Sequence, residues 1–315
     1  MSFRPTDQKF SPRLNAFLPW FVGTVIFLAL IAVVEIFTGW ANVLALWGHL
    51  SSITLATAFA LFAISHLIRA MRIYAYVTRV TGDPFRTTLK LSLIHQFTNN
   101  MLPMRLGEAA YPILMKRYFG AHWSASLASL FWLRLLDGVI VIGLLLLVYV
   151  WKFQELLWLA LMGVLVSLTM YLWLKKVRPE IMPKWFLQVI DTLHEAAPKS
   201  LSDVAILMGL TLACWVSKLY ALALFITSLK SMSLSAALSG VLGAELSSIL
   251  PIHGIAGSGT YEVAFMAAAL PHGITDESVI ANAISVHLFV ITSTSILALL
   301  VVPLKVRNYK QSTAT

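Results

Sequence analysis

Two clusters of polar residues interrupt long apolar stretches of this chain. The first reads Asn99-Asn100-Met101-Leu102-Pro103-Met104-Arg105-Leu106-Gly107-Glu108, and Arg134 and Asp137 follow in the next apolar run. The second runs from Pro251 through His253, Gly254, Gly257, Ser258 and Gly259 to Glu262, and His287 follows in the next apolar run. Both have one order: a Pro–Gly interruption, a glutamate, then a cationic or titratable residue. Glu108 lies 5 residues after Pro103 and Arg134 lies 26 after Glu108; Glu262 lies 11 after Pro251 and His287 lies 25 after Glu262.

These residue types suit the handling of a charged head group. A guanidinium matches phosphate oxygens bidentately, so Arg134 and Arg105 are candidate phosphate ligands, with Asn99, Asn100 and Asp137 beside them. The plainer roles are a structural Arg134–Asp137 pair at i,i+3 and an Arg105 that snorkels to the interface. Gly257, Ser258 and Gly259 precede a helix start, where exposed N–H donors attract anions. A close-packed helix break without a ligand explains the same triplet. Glu108 and Glu262 either lock onto Arg134 and His287 or take up protons. Glu108, Glu262, His253 and His287 are thus the candidate proton-coupling groups. Glu245 and Lys218 are a further candidate pair.

The elements that position these residues follow from composition. The chain is 59% hydrophobic and 12% charged, with a mean hydropathy of +0.82. That charged share is about half the soluble norm, and several apolar runs reach the ~20 residues that cross a bilayer. An all-α polytopic membrane protein is expected. Spanning helices are placed at about 17–38, 50–76, 124–150, 156–174, 204–229 and 279–304. Both interrupted segments are too short on either side of the break to span, so they read as re-entrant hairpins; full spans would instead make eight membrane segments. An amphipathic piece at 185–193 suits the interface. The first apolar run lacks a cleavage site and reads as a retained helix. The lone cysteine, Cys214, excludes an internal disulfide or thiolate metal site, and no cofactor or metal is expected.

The net charge of +9 is distributed by membrane side. With both breaks as hairpins, 18 of 23 lysines and arginines, including Arg69 and Arg72, fall on one side and only Lys152 and Lys230 on the other. The positive-inside rule then places both termini in the cytoplasm and removes nucleic acid as a partner. The same count makes residues 1–153 and 154–315 two inverted halves of one membrane domain, each carrying a hairpin. Paired interruptions in inverted repeats point to a secondary-transporter site near the midplane.

From about Leu50 to Leu304, the two broken motifs and Arg134-x-x-Asp137 resemble the lysylphosphatidylglycerol synthase transmembrane family. The resemblance implies a bacterial cytoplasmic-membrane protein that flips a lipid. The cargo would be an anionic or aminoacylated phospholipid, or a polyprenyl-linked lipid. The chain departs from the family's two-part members in carrying no soluble aminoacyl-transferase domain, so it is not expected to make such a lipid itself or to be an enzyme. The chain departs from the pattern at His287, where an arginine is expected, and at Leu133, where an acid often precedes Arg134. A lipid flippase working by alternating access, possible as a homo-oligomer or beside a lipid-synthesis enzyme, is the leading expectation. One alternative is a rhomboid-like serine hydrolase using Ser258 and His287; another is a non-transporting partner of a lipid-modifying enzyme.

Overall fold

A computed structural model describes residues 39–48, 50–81, 84–152, 184–229, 232–247, 255–257, 259–272 and 277–306, with a few residues between 28 and 36. Among the described residues every regular element is helical. These are α1 (Trp40–Trp47), α2 (Ser52–Thr81), α3 (Phe85–Met101), α4 (Ala110–Phe119), α5 (Trp123–Lys152), α6 (Lys184–Ala196), α7 (Leu201–Ser228), α8 (Leu234–Ser247), α9 (Thr260–Ala269) and α10 (Glu277–Val301). Helices α2, α5, α7 and α10 are each long and apolar enough to cross a bilayer. The chain is an all-α, multi-pass membrane protein. The span expected at 156–174 lies outside the described residues, as does most of the one at 17–38.

Local chemistry accounts for several boundaries. Ser200 Oγ accepts the Asp203 N–H at 3.2 Å and caps α7. Helix α1, eight residues long and not anticipated, starts after Gly39 at φ +77°. Glu35 Oε2 accepts the Trp40 N–H at 3.0 Å, so this glutamate caps α1. Amphipathic α6 covers the segment expected at the interface and extends past it. The Trp132 indole donates to Leu193 O at 2.9 Å, and the Tyr76 hydroxyl donates to Ala196 O. These bonds tie α6 to α5 and α2.

The first interrupted segment folds back on itself. Leu102 is extended, as a residue before proline prefers, so α3 ends there. A 3-10 turn, Pro103–Ala109, then leads into α4. Gly107 lies directly on α3: a Cβ there would stand 2.3 Å from Asn99 Cα. Only glycine permits that approach. The second segment does the same with small residues. A Cβ on Gly240 would meet the Phe265 ring at 2.7 Å, and one on Gly243 would meet Ala268 Cβ at 2.4 Å. Ser239 Oγ lies 2.6 Å from His272 Nε2. Early residues of α8 thus meet late residues of α9, and the two run antiparallel. At 1.5 Å per residue the 14 residues of α8 reach about 21 Å, short of a ~30 Å core.

One expectation needs correction, and a second, the Arg134–Asp137 pair, is present but gains a shorter partner. Arg69 and Arg72, counted as basic residues at the cytoplasmic end of a helix, are only 5% and 2% exposed. They turn inward because Asp137 on α5 supplies the counter-charge. Without these two the basic excess on that side becomes 16 to 2, with the same sign. Asp137, paired in the sequence reading with Arg134, has Arg72 as its shorter partner, at 2.6 Å against 3.5 Å. The α2–α5 contact wins because Arg72 reaches it with two nitrogens.

Candidate functional site

The two hairpin breaks meet. The turn Ile255–Gly257 packs against both α3 and the turn Pro103–Ala109. Its backbone is left-handed at Ala256 (φ +52°), Gly257 (φ +80°) and Gly259 (φ +82°). Ala256 carries a Cβ in that region, which is held only where the surroundings over-determine it. The turn is buried at Ala256 beside Ile291 of α10. Between the breaks lies a cavity of about 60 Å³, polar on most of its wall and large enough for a few water molecules. Helix α3 lines it with Gln96, Asn99 and Asn100, which share one face at i, i+3 and i+4. The second hairpin lines it with Ala256, Gly257 and Tyr261.

Charged side chains surround this cavity in pairs. Arg134 Nη2 lies 2.6 Å from Glu108 Oε1, and His95 Nε2 lies 3.3 Å from Glu108 Oε2. Lys218 Nζ donates to Glu245 at 2.6 Å across α7 and α8. His287 Nδ1 lies 2.7 Å from Glu262 Oε1, while Glu262 Oε2 accepts the Gly259 N–H at 2.7 Å. Asp137, 1% exposed, is contacted by Arg69, Arg72 and Arg134 and accepts the Trp215 indole N–H at 2.9 Å. Arg72 also donates to Thr211 at 3.1 Å. A charge costs roughly 2.5–3.5 kcal/mol at the bilayer centre on insertion scales, so each pair offsets a penalty that neither partner could carry alone.

The sequence-derived candidates separate on this frame. Asn99, Asn100, Arg134, Asp137, Gly257 and His287 line the cavity. Glu108, Gly259 and Glu262 are not among its lining residues. The two glutamates instead stand against Arg134 and His287, which do line it. Gly259, one candidate anion donor at the start of α9, already gives its N–H to Glu262. Asn100 donates to Thr294 Oγ1 at 3.1 Å and ties the first hairpin to α10. Ser258, His253, Pro251 and the side chain of Arg105 lie outside the described residues.

The sequence model of the family described as lysylphosphatidylglycerol synthase TM region matches residues 20–298. The chain belongs to this family. No curated protein and no solved structure gives a significant match. Membership places the chain among membrane proteins associated with lipid modification or transport. In this family member the cavity also has residues that the sequence reading passed over. Arg69, Trp215 and Tyr261 all line it. Arg69 and Lys218 each approach the Trp215 ring, at 5.6 Å and 5.3 Å. The available signals were weak: Arg69 sits near a basic loop, and tryptophan and tyrosine read as membrane anchors.

Proposed function

We propose that the protein is a lipid transporter and not an enzyme. It carries the head group of a phosphate-bearing lipid across the bacterial cytoplasmic membrane, between its two hairpins, while the acyl chains stay in the bilayer. The observation that carries this reading is the meeting of both helix breaks on one polar cavity. Non-helical backbone at membrane depth is tolerated where it lines such a space. Arg69, Arg134 and Lys218 on the cavity wall supply positive charge for a phosphate once the hairpins part. The 16-to-2 distribution of basic residues supports cytoplasmic termini. Rocking of one half against the other would expose the cavity to each side in turn, and protonation of Glu262 would weaken its contacts with His287 and Gly259 and release the second hairpin. The lipid is the essential partner; a second copy or a lipid-synthesis enzyme is compatible with this reading. The hydrolase alternative would use the same His287 Nδ1–Glu262 contact to orient the imidazole, and fluorophosphonate labelling of Ser258 is the outcome that would favour it.

The test is head-group translocation by purified protein in liposomes, read with tail-labelled phospholipids. Glu108→Gln and Glu262→Gln proteins should remain folded and lose at least about tenfold in rate, since each removes one charge-assisted contact of about 1.5–3 kcal/mol. No translocation by folded wild-type protein would defeat the transporter reading, and wild-type rates from a folded protein carrying both changes would remove the two glutamates from it.

A further inference from the structure

We propose that the cavity recognises the hydroxyl groups of a polyol or sugar head group, through Asn99 and Tyr261. This deepens the transporter reading and rests on it for the path the head group takes. The cavity wall leaves some of its hydrogen-bonding groups unsatisfied among the described residues. Every described cation on its wall already faces an acid: Arg69 and Arg134 face Asp137, Lys218 faces Glu245, and His287 faces Glu262. Beside Arg134, whose Nε makes no hydrogen bond among the described residues, the wall leaves neutral groups unmet. Tyr261 is 4% exposed, lines the cavity, and has no hydrogen-bond partner for its hydroxyl among the described residues. Its ring is held in place by stacking on His287, at 4.3 Å and 17°. Asn99 Oδ1 is also buried and without a hydrogen bond among the described residues.

An unmet buried hydroxyl or amide costs about 1–3 kcal/mol, so a site that keeps both is built for a ligand that completes them. A tyrosine hydroxyl donates and accepts, and an amide oxygen accepts. A ligand hydroxyl also donates and accepts, so neighbouring hydroxyls can satisfy both groups at once. An ammonium offers donors only. It would also arrive at carboxylates that are already neutralised. Gln96 and Asn100, on the same face of α3 as Asn99, extend the wall of amides along which further hydroxyls would lie.

The experiment compares lipids of equal charge. Wild-type protein in liposomes is assayed with tail-labelled phosphatidylglycerol and phosphatidylethanol, which share one phosphate charge and differ by two hydroxyls. Phosphatidylethanolamine serves as the amine arm and monoglucosyl-diacylglycerol as the sugar arm. We expect phosphatidylglycerol to exceed phosphatidylethanol by about tenfold, the worth of one or two completed hydrogen bonds. Tyr261→Phe should reduce that ratio to about twofold or less, leaving thermal stability equal or slightly raised, because it deletes an unpartnered hydroxyl. A purely structural Tyr261 would leave the ratio unchanged. Transport of the glucolipid at the phosphatidylglycerol rate would assign the hydroxyls to a sugar, and phosphatidylglycerol alone would assign them to a phosphopolyol.

Equal rates for phosphatidylglycerol and phosphatidylethanol, preference for the amine lipid, or a ratio unaffected by Tyr261→Phe would overturn the inference while leaving the transporter reading intact. If wild-type protein moves no lipid, the transporter reading fails. Retention by native mass spectrometry then decides the inference separately: selective retention of hydroxylated lipids supports it, and equal retention overturns it.

Discussion

The two hairpins solve one problem with different parts. In the first, Glu108 is held by Arg134, a permanent cation, and by His95 of its own hairpin. Arg134 also reaches Asp137 at 3.5 Å, so this lock joins the charge network of α2, α5 and α7. In the second, Glu262 is held by His287 and by the backbone of Gly259. The breaks differ as well. The first is a short turn with Gly107 pressed against α3, while the second places Ala256, Gly257 and Gly259 in left-handed conformations. The first hairpin is therefore a strut built into the core. The second is closed by an imidazole and a backbone N–H, and its release needs no guanidinium to lose its partner.

That contrast can be broken by substitution, and the largest effect should come from the strut's foundation. Asp137→Asn leaves Arg69 and Arg72 buried beside a neutral amide. Removing one member of such a cluster should cost about 3–5 kcal/mol. The expected readout is loss of a monodisperse, folded peak in detergent; a protein of unchanged thermal midpoint would deny that the network supports the first hairpin. Next comes backbone contact. Gly107→Ala puts a Cβ 2.3 Å from Asn99 Cα and should force the first hairpin open. Gly259→Ala meets nothing within 4 Å and bears only the strain of φ +82°, about 1 kcal/mol. Thermal melts of the two proteins should rank in that order, and the reverse order would place the tighter packing in the second hairpin. The smallest difference lies in the locks themselves. Glu108→Gln should lower stability by about 2 kcal/mol because Arg134 loses its nearer acid. Glu262→Gln should cost about 1 kcal/mol, since an amide can still bond His287 and Gly259. Equal losses would make the two locks equivalent.

Much of this was legible in the chain. Leu102-Pro103 and Gly107 marked the first break because proline and glycine act on the backbone locally, and the apolar runs marked the helices α2, α5, α7 and α10. Pairing Glu108 with Arg134 and Glu262 with His287 was one of two readings that spacing allowed. The pairing of Lys218 with Glu245 was suspected from their burial in apolar runs. Arg69 and Arg72 were misplaced because their local context, a helix end followed by a basic loop, is the same whether they face water or Asp137. Tyr261 was invisible as a site residue, since nothing near it in sequence distinguishes an orphaned hydroxyl from an anchoring one.

What the amino-acid order determined by itself was local and periodic: hydrophobic length sets a membrane helix, and Pro or Gly stops one. The tertiary structure alone decided which acid each cation meets, and which polar groups are left over to face the cavity. Asp137 finds Arg72 65 residues away and Trp215 78 residues away. Electrostatic partners in a bilayer are chosen by proximity after packing, and no local pattern encodes that proximity.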